Sequence, residues 1–196
     1  MTAYTSLDDI PVFRYGLVMA DSPWQFEHRG KPGDRAAGSK YRTMSTADIM
    51  QIPVGHWCGA NAVLWLWTTT SMLDQSFDVL DAWGFQFVTA GFWAKTTTSA
   101  PIRPHIGTGH VLRECGEPYL IGKIGLPEFH DKGVPAVFFA PRSKNHSEKP
   151  DIAYENAARL APRGYPKLDL FSRRTRPGWD SAGDEAGKFD AGEAEA

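Results

Sequence analysis

The stretch "GLVMADSPWQF", Gly16 to Phe26, decides how this chain is read. Leu17, Val18, Met19 and Ala20 make a continuous apolar run, the pattern of a parallel strand buried on both faces. Asp21, Ser22, Pro23 and Trp24 cannot prolong it, because Pro23 has no N–H to give a ladder. The chain must leave the sheet here, at the carboxyl end of a strand, where open α/β sheets bind their ligands. An Asp before a Ser-Pro turn is often only a local cap. The same group, a carboxylate beside an exposed aromatic, also suits a planar base with an exocyclic amine. Asp21 accepts a hydrogen bond from the amine, main-chain carbonyls held by the turn accept another, and Trp24 stacks on the ring.

Apolar runs and helical patterns alternate along the rest of the chain, as in an α/β fold. Asn61 to Thr70 has the character of a buried strand, and the following segment predicts a helix with Ser71 as N-cap, Asp74 at the third helical position and Gly84 as the stop. Leu73, Phe77 and Leu80 are expected on one buried face of it. Further strands are predicted over Phe85 to Lys95, in "EPYLIGKIG", in "AVFFA", and from Lys167 in "KLDLFSR". Lys149 to Pro162 predicts a second good helix, and "STADIMQI" a short one capped by Ser45 with Asp48. Trp65, Trp67, Trp83 and Trp93 sit in apolar runs and are expected in the core. Three segments have loop composition: Glu27 to Thr43, the run "TTTSAPIRPHIGTGH", and "APRSKNHSEKP". In the first, Arg29, Lys31, Arg35, Lys40 and Arg42 either hold phosphates or simply face solvent.

With 196 residues and a formal net charge of -2, one domain is expected, without an overall basic character. Residues 1–183 are expected to form it, and the acidic tail 184–196 to be disordered beyond its first few residues. Cys58 and Cys115 form no CxxC pair, and six scattered histidines show no ligand spacing, so no disulfide framework and no metal are expected. No apolar run approaches the roughly 20 residues of a membrane span, and nothing resembles a basic start followed by an apolar stretch. A cytoplasmic location without membrane partners is the expectation.

"MADSPW" resembles the Asp-Pro-Pro-Trp motif of the MT-A family of S-adenosylmethionine-dependent adenine-N6 methyltransferases, with Ser22 in place of the first proline. "YRTMSTADI", "LWLWTTT", "GFWAKT", "GTGHVLRECGEPYLIGKIG", "HSEKPDIAYENAARLAP" and "KLDLFSRRTRPGWDSAGDE" match family segments in the family's order, from about Gly16 to Glu185. The resemblance implies a Rossmann-like methyltransferase sheet in permuted order, with the catalytic motif first and the cofactor segment last. It implies Asp21, Ser22, Pro23 and Trp24 as the catalytic motif. On the cofactor side it implies Asp21, Lys149, Arg173, Thr175, Arg176, Asp184 and Glu185, although the family often has His and Asn at the Thr175 and Arg176 positions and an amide pair at 184 and 185. Lys149 would face the methionine carboxylate; from residues alone it would pass for a solvated charge at a helix start. Trp24, Tyr41, Lys95, His110 and Glu117 are the substrate-side residues it carries, with a structural hydrogen-bonding role as the alternative for His110 and Glu117. The implied partner is nucleic acid. The small extent of the chain outside the catalytic segments resembles the bacterial and phage branch, where DNA is the expected substrate rather than RNA. A non-catalytic nucleic-acid-binding subunit of the same fold is the alternative, and a homodimer or heterodimer stays open.

Overall fold

In chain order the strands are β1 (Ala3–Tyr4), β2 (Tyr15–Ala20), β3 (Cys58–Trp67), β4 (Gln86–Thr96), β5 (Gly116–Ile124), β6 (Val137–Pro141), β7 (Lys167–Leu170) and β8 (Asp180–Ala182). The helices are α1 (Thr46–Met50), α2 (Val54–Trp57), α3 (Leu73–Ala82) and α4 (Asp151–Leu160). They belong to a computed structural model that describes residues 1–25, 43–98, 100–109, 111–142, 148–188 and 190. The basic loop, with Tyr41, and also His110 lie outside the described residues. The strands form one sheet in the order β1-β8-β7-β2-β3-β5-β4-β6. Only β5 runs antiparallel to its neighbours, pairing with β3 on one side and β4 on the other.

β2 is buried along its whole length, and from Leu17 on its side chains alternate between two cores as the strand period requires. Val18 and Ala20, with Leu64 and Leu66 of β3, pack with Ile49, Val54, Val79 and Leu80 from α1, α2 and α3. Leu17 and Met19, with Val63 and Trp65, pack on the other face with Ala153 and Ala157 of α4. Both faces are covered, which is why the strand shows no polar alternation in sequence. Trp65, Trp67, Trp83 and Trp93 are buried as expected.

Several boundaries move. The strand expected from Asn61 to Thr70 is β3, which starts at Cys58 and ends at Trp67. The helix predicted from Lys149 begins at Asp151, since Pro150 takes the cap position. The cap of α3 is Met72 with no side-chain bond, not Ser71, whose hydroxyl is instead 3.1 Å from the Thr69 hydroxyl. Asp74 is accordingly the second helical residue. Phe77 is 38 % exposed and meets the ring of Phe87 edge-on, so the buried face of α3 consists of Ser76, Val79 and Leu80. Gly84 does end the helix region, at φ +82, where a left-handed residue is needed.

Two short strands at one end of the sheet were not foreseen. β1 pairs with β8, and Asp180 at the start of β8 accepts from the Thr2 N–H at 2.7 Å and the Tyr15 hydroxyl at 3.0 Å. The chain order places β3 on one side of β2 and the late strand β7 on the other. The carboxyl ends of β2 and β7 therefore form a topological switch point, where a crevice opens. No helix among the described residues is long and apolar enough to cross a membrane.

Candidate active site

The crevice at that switch point is a cavity of about 760 Å³. β2 delivers Asp21 to it, β7 delivers Asp169 and Phe171, and the segment after β8 delivers Gly183, Asp184 and Glu185. Because β5 runs the opposite way, its first residues reach the same edge, and this brings Glu117 in. Lys149, just before α4, completes the wall. Phe171 turns the chain out of β7 at φ 63, a left-handed conformation that costs an ordinary residue about 1–2 kcal/mol and that marks the site.

Four charges run in a line from the crevice into the wall behind it. Lys149 Nζ donates to Asp21 Oδ2 at 2.6 Å and lies 3.2 Å from Glu117 Oε2, while Lys95 Nζ donates to Glu117 Oε1 at 2.5 Å. The Lys149 side chain is 4 % exposed and its ammonium also stands 5.4 Å from the centre of the Trp67 ring, so it is not a solvated helix-start charge. Burial works against the lysine charge, but the two carboxylates outweigh it and hold the ammonium above the ordinary lysine range. Burial raises the Asp21 carboxyl despite Lys149, with Glu117 adding to the rise. Burial acts in the same direction on Glu117, yet Lys149 and Lys95 together hold it below its ordinary value. Glu117 is thus the fixed anion, and Asp21 is the carboxylate of the two that takes up a proton more readily.

The turn after Asp21 is held by main-chain bonds. The Trp24 N–H donates to Ser22 O at 2.9 Å, and the Met44 N–H donates to Pro23 O at 2.8 Å. Trp24 is not an exposed platform: it is 4 % exposed, with its indole N–H donating to Trp67 O at 3.3 Å. Packing around the strand end takes in the ring, which lines the crevice as a fixed wall. Ser22 lies buried at the same wall, its hydroxyl without a hydrogen-bond partner among the described residues.

On the far side, the run Arg173 to Arg176 reaches separate acidic partners. Arg173 Nε lies 2.9 Å from Glu185 Oε2, Arg174 Nη1 lies 3.2 Å from Glu148 Oε1, and Arg176 Nε lies 3.3 Å from Asp151 Oδ1. The guanidinium of Arg176 sits 3.7 Å over the Tyr154 ring and donates through Nη2 to Lys149 O. A family model describing MT-A70 matches residues 15–185, which include every crevice residue named above. The chain belongs to the MT-A70 family.

Among its relatives, the MT-A70-like N(6)-adenosine-methyltransferase of Arabidopsis thaliana is 29% identical over 173 residues, 87% of this chain and 24% of that protein. The human N(6)-adenosine-methyltransferase catalytic subunit METTL3 is 29% identical over 176 residues, 88% of this chain and 28% of that one. The type II methyltransferase M.MunI of Mycoplasma sp is 26% identical over 203 residues, 93% of this chain and 84% of M.MunI. The chain spans about a quarter of the length of the plant and human relatives.

For an MT-A70 chain, the site gathers most of the residues the resemblance singles out. Asp21, Ser22, Pro23, Trp24, Glu117, Lys149, Arg173, Arg176, Asp184 and Glu185 all line the crevice. Two do not. Lys95 stands behind Glu117, and Thr175 turns away to Asp190, which accepts from both its N–H and its hydroxyl at 2.9 and 2.8 Å. No cluster of His, Cys, Asp and Glu among the described residues can hold a metal ion, and both cysteines are free thiols.

Sequence reasoning missed Tyr154 and Asp169. Asp169 is a carboxylate set between two leucines of a short strand, and that was the available signal. Its carboxyl is pushed up to about 6 by burial, against the pull of Arg176. Arg176 Nη1 is 3.5 Å from its Oδ2, an ion-pair separation without hydrogen-bond geometry, and so only partly compensates. Between the usual aspartate range and about pH 6 the folded protein keeps a proton that the unfolded chain has lost. This group therefore makes stability fall as pH rises through that window, and leaves a constant cost above it. Asp169→Asn should flatten that part of the profile. Urea midpoints at pH 4.5 and 7 check this, and an identical slope in both proteins would count against it.

Proposed function

We propose that this chain transfers a methyl group from S-adenosylmethionine to the N6 amine of adenine in nucleic acid, with DNA as the substrate. The observation that carries the reading is the Asp21 carboxylate at the switch point, next to a buried lysine that holds its charge. Seven carboxylates and four cations line the cavity among the described residues, a balance that suits a ligand of net positive charge. The Ser22 hydroxyl and Asp169 Oδ2 are buried polar atoms without a hydrogen bond among the described residues, the latter held only by the Arg176 ion pair, and such a ligand can satisfy them. When bound, S-adenosylmethionine supplies an electrophilic methyl on a sulfonium. Lys149 is placed to receive its carboxylate, and Asp184 and Glu185 are acceptors for ribose hydroxyls.

The residues themselves do the rest. A lysine that moves its charge from Asp21 to an incoming carboxylate releases Asp21 Oδ2 as an acceptor. That oxygen orients the adenine amine, whose lone pair is otherwise delocalised into the ring, and afterwards takes its proton. Trp24 keeps water from one side. DNA is supported by the likeness to M.MunI, a type II methyltransferase, over most of both chains.

The test is mass spectrometry of nucleosides from cells making the protein. N6-methyladenine in DNA is expected; its appearance in RNA alone would move the substrate class, and its absence from both would sink the reading. A binding-only subunit rests on Ser22 alone. Proline there would restrict the unbound turn by only about 0.4–1 kcal/mol, and main-chain bonds already hold that turn. The natural chain is therefore expected to be active, with Ser22→Pro changing kcat/KM by less than about tenfold. An inert natural chain rescued by Ser22→Pro would establish the binding-only subunit instead.

A further inference from the structure

The segment between β4 and β5 is a hairpin whose stem is a wall of the crevice. The Gly107 N–H donates to Glu114 O at 2.7 Å and the Glu114 N–H to Thr108 O at 3.3 Å, and both Thr108 and Glu114 line the cavity. The Thr70 hydroxyl donates to the Glu114 carboxylate, pinning the stem to the loop after β3. Past the stem, between the cavity-lining Thr108 and Glu114 in the chain, stand Val111, 94 % exposed, and Leu112, 80 % exposed, two large aliphatic side chains held out to solvent. The turn that carries them is tight: a Cβ on Gly109 would lie 1.9 Å from the Leu112 carbonyl oxygen, so only glycine fits there.

Charge separates this hairpin from the crevice it borders. Thr97 to Arg113 contains Arg103 and Arg113 and no acidic residue, whereas the cavity is dominated by carboxylates. A ligand that brings phosphates to the hairpin and a neutral base to the cavity satisfies both. An adenine amine inside a duplex is out of reach, and an enzyme acting on it must turn the base out of the stack. Apolar side chains pushed between base steps, with arginines on the neighbouring phosphates, are a recurring way to hold a duplex open.

We infer that Val111 and Leu112 form an apolar wedge for base-paired nucleic acid, filling the space that the target adenine leaves when it enters the crevice. This rests on the adenine-methyltransferase reading above. The two arginines and the lack of any acidic residue from Thr97 to Arg113 favour a polyanion over a protein partner as the occupant.

The test compares natural protein with Val111→Ser/Leu112→Ser on one oligonucleotide carrying the site methylated in cells. It is presented fully paired, with a mismatch opposite the adenine, and as a single strand. The variant is expected to lose at least tenfold in kcat/KM on the paired duplex and to stay within about twofold of the natural chain on the mismatched and single-stranded forms. A 2-aminopurine placed at the target should brighten on binding the natural protein and not the variant. Equal loss on all three forms, with or without a change in oligomeric state, overturns the wedge. So does undiminished activity on the paired duplex, or a natural chain that acts on single strands only. A natural chain inert on all three forms overturns the methyltransferase reading, and the wedge falls with it.

Discussion

Asp21→Ala should lower methyl transfer by about a thousandfold or more while the protein folds and still binds its cofactor. The expectation of an intact fold comes from the line of charges. Lys149 loses its 2.6 Å partner in this variant but keeps Glu117 at 3.2 Å, so the buried ammonium is not left alone. Nor does any core cluster depend on the lost carboxylate, since the side chain stands in the crevice wall. Cofactor affinity is expected to hold or rise, because Lys149 no longer has to leave Asp21 to meet a carboxylate. The reaction loses the oxygen that aims the amine and takes its proton, and nearby groups cannot substitute: Glu117 is held between two lysines. Single-turnover rates and calorimetry with S-adenosylmethionine separate the two effects. Undiminished turnover would place catalysis elsewhere, and a collapse in cofactor affinity with normal turnover at saturation would make Asp21 a binding residue only.

How much of this was legible in sequence depended on how local the cause was. β2 could be read because four apolar residues ending at a proline turn leave few alternatives. The α1 cap was legible for the same reason, with the Ser45 hydroxyl accepting from the Asp48 N–H as its spacing implies. β1 and β8 were not, because strands of two and three residues carry no period. What holds them is Asp180 meeting Thr2 from the opposite end of the chain. Ser71 failed as a cap because an available hydroxyl nearby, that of Thr69, competes for it.

The site divides along the same line. Asp21 and Lys149 were found through motif and resemblance, yet nothing in either segment says that they are partners 128 residues apart. Trp24 looked exposed because polar and turn residues precede it. Its burial follows from the returning segment at Met44, which pairs with it as a bridge and closes over the ring's edge of the sheet. Thr175 shows the converse: a position that the resemblance puts on the cofactor side has a local partner, Asp190, beyond the end of the family match at residue 185.

Lys149→Ala should be the most damaging substitution for stability as well as for cofactor binding. Removing a buried partner from an ion pair typically costs about 3–5 kcal/mol, because the charges it leaves remain desolvated. Here two carboxylates are left: Glu117 keeps its contact with Lys95, while Asp21 keeps only the weaker electrostatic pull of Arg173. Against a total stability of about 5–15 kcal/mol, that is enough to bring the chain near unfolding. Asp21 then has one escape, which is to take up a proton. Its carboxyl is already raised by burial, and without Lys149 it rises further. Since the unfolded aspartate has released its proton above its ordinary value, stability of the variant falls as pH rises through the extended window, and the deficit should be smaller at pH 5 than at pH 8. Affinity for S-adenosylmethionine should fall by about 1.5–3 kcal/mol, the usual size of a hydrogen bond to a charged group. Adding Asp21→Asn to the lysine variant removes the orphaned charge, so the double variant should recover part of the lost stability while its cofactor affinity stays low. Denaturant unfolding of the cycle at both pH values checks the first point and calorimetry the second. Additive losses in stability, or unchanged affinity in Lys149→Ala, would remove the buried lysine from the place the crevice gives it.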